Sequence, residues 1–240
     1  MKKHWYTNII CLFLTAGAAF GLVACNTEVD PDDPLLLLAN KQQALGENYT
    51  PPRLTDISSS YTMQADGKDY KLQAEAAEAV EKMLSAMHSA GHGSVLVTSA
   101  YRTYAYQKSL FNYYISVERQ KDPSLSERQL EAKVLTYSAK PGTSEHQTGL
   151  CVDLFDVSCM KELENYGHEG TKNDVGFAET EAFKWLQSHA HEYGFILRYP
   201  ENAVDITGYQ YESWHYRYVG KDHAAKIHQK GITLEEYIAF

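Results

Sequence analysis

The 240-residue sequence predicts a single α+β domain in which helices flank a small, mainly antiparallel sheet. Three observations carry that expectation. Apolar residues recur at helical spacing from Gln73 to Ala90. A later run, in which Leu150, Val152 and Leu154 alternate with Cys151 and Asp153, has the period of a strand. Helical pattern therefore comes early, and the strand that carries polar chemistry follows it, as in an α+β layout. About 200 residues remain after the leader, enough for one core of useful size. There is no internal repeat or low-complexity tract.

The leader comes first. Lys2 and Lys3 give a positive start and Ile9 to Leu22 an apolar run. That run is too short, and too soon followed by polar sequence, to make a good membrane span. Leu22-Val23-Ala24-Cys25 resembles a bacterial lipobox, which would make Cys25 the lipid-bearing residue once residues 1–24 are cleaved. An ordinary secretory signal with an incidental cysteine is the alternative. Residues 25–35 are polar and acidic with two prolines, and read as a tether; residues 36–240 form the domain. These features place the chain outside the cytoplasm, held at a membrane by lipid.

The formal net charge is −9; cleavage leaves 20 basic against 31 acidic residues, so −11. That balance argues against nucleic acid and against charge-driven adhesion to anionic lipid. Of four cysteines, Cys11 leaves with the signal. Cys151 and Cys159 could pair in an oxidising compartment or remain buried thiols, and neither has the spacing of a structural zinc site.

The elements follow in order. Ala76, Val80, Met83, Leu84 and Met87 mark the helix of residues 73–90, and Gly91 stands at its stop. Val95 to Thr98 is a short β-branched strand, and Leu110 to Val117 reads as helical. Ser126 and Gln129 form a capping-box pair ahead of a helix to about Tyr137. Lys140 to Thr143 is a turn. Glu179 to Tyr193 is a helix stopped by Gly194, and Phe195 to Tyr199 a strand. Asp222 to Gln229 and Thr233 to Ile238 are short closing helices.

The chemistry concentrates in Ser144 to Asp153, Ser-Glu-His-Gln-Thr-Gly-Leu-Cys-Val-Asp. His146 and Asp153 are separated by a segment containing Gly149, which lets the backbone turn or approach closely. A turn feeding a strand can bring both to one point, with a third donor from elsewhere. Tyr211 to Gly220 supplies Glu212 and His215. In a strand these two would face opposite sides, so a shared site needs a bend near Ser213. Two histidines and one carboxylate around an open fourth position suit a catalytic zinc, and a nearby free glutamate suits a general base.

The spacings Ser-x-His-x-x-Gly-x-x-x-Asp and Glu-x-Trp-His resemble the signatures of the LAS-type zinc peptidases. From about Leu36 to its end the chain resembles the VanY-type D-alanyl-D-alanine carboxypeptidases, peptidase family M15B. The resemblance implies one Zn2+ held by His146, Asp153 and His215, with Glu212 as general base. It places Arg102, in Tyr-Arg-Thr-Tyr, at the active site, where a guanidinium can grip a carboxylate or stabilise a developing oxyanion. Gln107 and Ser144 would be hydrogen-bonding neighbours of the substrate terminus. Trp214 is either a pocket wall or a core residue. Arg217 pairs with an acid beneath the site. Glu145 points away from His146 and Asp156 extends the strand, so neither takes the base role. Cys151 stands where the family usually has Ala; it is small enough to leave the metal site in place.

The resemblance implies a monomeric, membrane-anchored zinc carboxypeptidase that releases terminal D-alanine from peptidoglycan stem peptides. An L,D-carboxypeptidase acting on tetrapeptide stems would use the same kind of site. A non-catalytic wall-binding module is a second class, but it would not require Glu212. A serine hydrolase on Ser144 and His146 lacks an oxyanion motif and an orienting third group.

Overall fold

A computed structural model describes residues 29–30, 32–63, 69–159 and 175–239. The expected signal segment, Cys25 and part of the tether lie outside them. Among the described residues no helix is long and apolar enough to cross a membrane.

In chain order come β1 (Leu54–Asp56), β2 (Lys71–Gln73), α1 (Ala74–Ser89), β3 (Val95–Ser99), α2 (Tyr104–Lys121) and α3 (Glu127–Val134). They are followed by β4 (Cys151–Asp156), α4 (Val175–Ala178), α5 (Glu181–His189), β5 (Phe195–Leu197) and α6 (Val204–Thr207). Strand β6 (His215–Tyr218), α7 (Lys221–Lys230) and α8 (Leu234–Ile238) close the fold. β1 and β2 pair with each other, and the main sheet has the order β3-β4-β6-β5. Every neighbouring pair is antiparallel, so the α+β expectation holds.

Helix α1 forms for the reason its spacing gives. Val80, Met83, Leu84 and Met87 are fully buried and share one cluster with Val95, Val97, Val152 and Leu154 of the sheet. Each such side chain stabilises the fold by about 1.5–3 kcal/mol relative to exposure. A smaller cluster lies under α7 and α8, where Leu36, Ile196, Ile227, Leu234 and Tyr237 meet. The chain docks before residue 36. Asp33 pairs with His223 at 3.1 Å, and the carbonyls of Leu35 and Leu37 each accept from Arg217 at 2.8 Å.

Several boundaries differ from the sequence pattern. Helix α2 begins at Tyr104, not Leu110, because Thr103 caps it, Oγ1 accepting from the Tyr106 amide at 3.0 Å. Only Gln107, Phe111 and Glu118 are buried on this helix, so its apolar face is too narrow to mark its start. The Ser126–Gln129 capping box is present, but α3 ends at Val134 rather than Tyr137. After α5 the chain tightens to a 3-10 turn over Ala190–Tyr193 before Gly194. β5 stops at Leu197, so Tyr199 lies beyond the strand. The β1–β2 pair was not legible, having three residues in each strand. Cys151 is a free, buried thiol.

Candidate metal centre

Two central strands and one turn bring the chemistry together. Asp153 of β4 stands directly opposite His215, the first residue of β6, so their side chains share a face of the sheet. A register shift in β3 between Val97 and Ser99 sets Ser99 across from Asp153, and the carbonyl of Ala100 then reaches the site. His146 sits in a 3-10 turn, Glu145–Thr148, ended by Gly149 at φ +65°. A Cβ on Gly149 would meet Leu54 and Pro51 carbons at 3.1 Å each, so both the backbone and the space call for glycine. Glu212 precedes β6 in a turn closed by the His215 amide donating to the Glu212 carbonyl at 3.2 Å. This is the bend the sequence required near Ser213, and it places Glu212 Oε2 3.7 Å from His215 Nδ1.

The carboxylate of Asp153 bridges the two imidazoles. Oδ2 lies 3.2 Å from His146 Nε2 and Oδ1 3.0 Å from His215 Nδ1. His146 Nδ1 donates to the Ala100 carbonyl at 2.6 Å, and since a carbonyl can only accept, Nε2 is left with a lone pair directed inwards. Two imidazoles and one carboxylate are the donor types of a catalytic zinc, which keeps a fourth position for water or substrate.

Burial raises the Asp153 carboxyl, but the two imidazoles outweigh it and hold the group well below the usual range. Glu212 goes the other way. Burial pushes it up to about 7, with Asp153 adding to the rise and His215 opposing it. Burial also raises the Cys151 thiol, yet His146 and His215 pull it down to about 7.

All eight residues expected from sequence line one cleft of about 200 Å3: Arg102, Gln107, Ser144, His146, Asp153, Glu212, Trp214 and His215. Arg102 forms no salt bridge among the described residues, and its buried Nε has no hydrogen-bond partner. Gln107 Nε2 donates to the Ala139 carbonyl at 2.8 Å, while its Oε1 has no partner. Ser144 is buried at the start of the 3-10 turn. Trp214 lines the cleft and also packs against the main core, so both readings of it apply.

Beneath the cleft lies a charge network that sequence reasoning missed. Glu145 does point away from His146, but it is not idle. Its Oε1 accepts from Arg198 Nε and from Arg217 Nη1, both at 2.7 Å, and all three side chains are wholly buried. Arg198 also makes a bidentate pair with Glu235, at 2.8 and 2.6 Å. The free oxygen of Glu145, Oε2, faces His215 Nε2 at 3.5 Å, an electrostatic contact behind the imidazole. Arg217 thus has the acid partner expected of it. The Tyr199 ring covers His215, centroids 4.9 Å apart. Nothing in the sequence marked Arg198; Glu145 was visible only as a neighbour of His146.

Known proteins resemble this chain. The profile of a family described as VanY: D-alanyl-D-alanine carboxypeptidase matches residues 69–221. A Bacillus subtilis (strain 168) protein named as a carboxypeptidase, YodJ, is 38% identical over 203 residues, 85% of this chain; the chain spans 66% of that protein's length. The solved structure of the LdcB LD-carboxypeptidase superposes with a TM-score of 0.70 at 36% identity, covering 87% of this chain and 88% of that one. The D,D-pentapeptidase VanY from a VanB-type resistance cassette, solved with Zn(II), gives a TM-score of 0.66 at 30% identity, covering 86% and 99%.

Proposed function

The chain belongs to the VanY family of D-alanyl-D-alanine carboxypeptidases, and from that premise we propose that it is a zinc D,D-carboxypeptidase of peptidoglycan stem peptides. The observation that carries the proposal is the convergence of His146, Asp153 and His215 at 3.0–3.2 Å beside Glu212, in a cleft that also holds Arg102. His146 Nε2, Asp153 and His215 Nδ1 are the donors assigned to the ion. When bound, zinc supplies Lewis acidity, polarising the scissile carbonyl and lowering the pKa of a water.

The chain's own groups do the rest. Glu212 Oε2 takes a proton from the attacking water and passes it to the nitrogen of the leaving D-alanine. Its raised proton affinity, up to about 7, suits a group that must both accept and return a proton near neutrality. Arg102 grips the terminal carboxylate or the oxygen on which charge develops, and no salt bridge among the described residues competes for its guanidinium. Ser144 and the unpaired Oε1 of Gln107 hydrogen-bond the substrate terminus. Trp214 walls the cleft.

Residues 1–24 are proposed as a lipoprotein signal, Cys25 as the lipidated residue and residues 25–35 as the tether of domain 36–240. The enzyme then works outside the cytoplasm at a membrane surface, as a monomer. An L,D-carboxypeptidase is the second reading, favoured by the TM-score of 0.70 to LdcB.

Mass-spectrometric product analysis separates the two. The protein receives pentapeptide and tetrapeptide muropeptides, with and without chelator, beside Glu212→Ala. Loss of one alanine from pentapeptide, abolished by both treatments, is expected. Loss from tetrapeptide alone moves the activity to L,D. No cleavage of either by zinc-loaded protein refutes the carboxypeptidase reading.

A further inference from the structure

Strand β4 offers the centre a second potential donor. Cys151 is two residues before Asp153, so both side chains leave the same face of the strand. Cys151 Sγ, one ring nitrogen of His146 and one of His215 all lie within 4.8 Å of one another, and all three residues are buried. Two donor sets therefore share one pair of imidazoles. One is completed by the hard carboxylate of Asp153, the other by the soft sulfur of Cys151. Alanine, the usual residue at this position of the family pattern, provides no donor at all.

We propose that Cys151 Sγ is a metal ligand of this centre, joining His146 and His215 to hold a thiophilic divalent cation such as Cd2+. This rests on the reading of the two histidines as metal donors and adds to it. Binding replaces the S–H bond with a sulfur–metal bond, and the proton goes to solvent. Thiolate strengthens selection for soft cations over oxygen-preferring ones such as Mg2+ and Mn2+. Soft cations are thus favoured at this centre, a property that the alanine pattern lacks.

The whole chain, titrated with Co2+ and separately with Cd2+, tests this by absorption spectroscopy. Co2+ reports the centre through its visible d–d bands, and thiolate ligation through a near-ultraviolet charge-transfer band. Wild type is expected to show both, and Cys151→Ala to keep the d–d bands while losing the charge-transfer intensity. The difference between the two removes any contribution from the other cysteines. Cd2+ affinity is expected to fall about tenfold or more in Cys151→Ala, as for loss of a metal ligand's support, with Cys151→Ser as the size-matched control. Unchanged charge-transfer intensity and Cd2+ affinity in Cys151→Ala, with d–d bands in both proteins, overturn the cysteine ligand and leave the metal centre standing. Absence of d–d bands and of bound metal in wild type overturns the centre itself.

Discussion

Replacing Glu145 tests whether the charge network under the cleft is structural. Its side chain is fully buried and its Oε1 accepts two 2.7 Å bonds from guanidiniums that are themselves fully buried. In Glu145→Ala, Arg198 keeps its two bonds to Glu235, but Arg217 is left with backbone carbonyls alone. Removing one partner of a buried pair costs about 3–5 kcal/mol, a large share of the roughly 5–15 kcal/mol that holds a domain together. Glu145→Gln keeps a neutral acceptor, so its expected loss is about 1.5–3 kcal/mol, the worth of a hydrogen bond to a charged group. Urea unfolding at pH 7, compared at constant m-value, reads both. A loss under about 1 kcal/mol for Glu145→Ala refutes the argument, since it means the guanidiniums do not need the carboxylate. The network also sets a pH dependence. Arg198 and Arg217 overcome burial and hold the Glu145 carboxyl far below its ordinary value. A depressed carboxyl contributes stability above its unfolded pKa of about 4.3 and loses it as pH falls towards the folded value. Wild type should therefore lose stability more steeply than Glu145→Gln below about pH 4.5.

Three other substitutions address the cleft. Glu212→Gln should lower kcat by about 10²–10⁴ with zinc content unchanged by elemental analysis; an active variant removes Glu212 from proton transfer. Arg102→Lys should lower kcat/KM for pentapeptide, because an ammonium cannot reproduce a bidentate grip; unchanged steady-state kinetics would exclude that grip. Gly149→Ala forces φ +65° on a residue with a Cβ and presses it against Leu54 and Pro51. A left-handed conformation alone costs about 1–2 kcal/mol. Thermal unfolding should show at least that loss, and zinc retention should fall as His146 shifts; a neutral variant would show that the turn adapts.

Most of the cleft was legible because its residues sit at short, fixed spacings. His146, Gly149 and Asp153 lie within eight residues, and Glu212 and His215 within four, so local turn and strand geometry nearly determines their placement. Helix α1 was legible because its buried face is wide and purely apolar. Helix α2 was not, because its start is set by one capping hydroxyl and its buried face includes Gln107 and Glu118. Glu145 and Arg198 illustrate a different failure. Their pairing joins positions 53 residues apart and has no periodicity to announce it. Buried ion pairs are specified by tertiary packing, and a charged residue in a turn gives no sign that a guanidinium waits for it.

The two carboxylates beside His215 show how the fold divides their work. Asp153 and Glu212 approach the same Nδ1, at 3.0 and 3.7 Å, so distance to that atom alone does not tell ligand from base. Their surroundings do. Asp153 is fixed in the strand between two imidazoles, and both stabilise its charge. Glu212 is carried on the turn before β6, where it feels burial and the negative Asp153 with less compensation, and its proton affinity rises to about 7. Titratable groups pushed apart by environment mark different tasks. Asp153, whose carboxyl is held well below the usual range, suits a metal donor, and Glu212, pushed up to about 7, suits the base. The exchange Asp153→Glu with Glu212→Asp should then fail to restore activity, because the roles belong to the positions in the sheet and not to the carboxylates. Substantial turnover by that double variant, measured on pentapeptide with bound zinc quantified, would contradict this division.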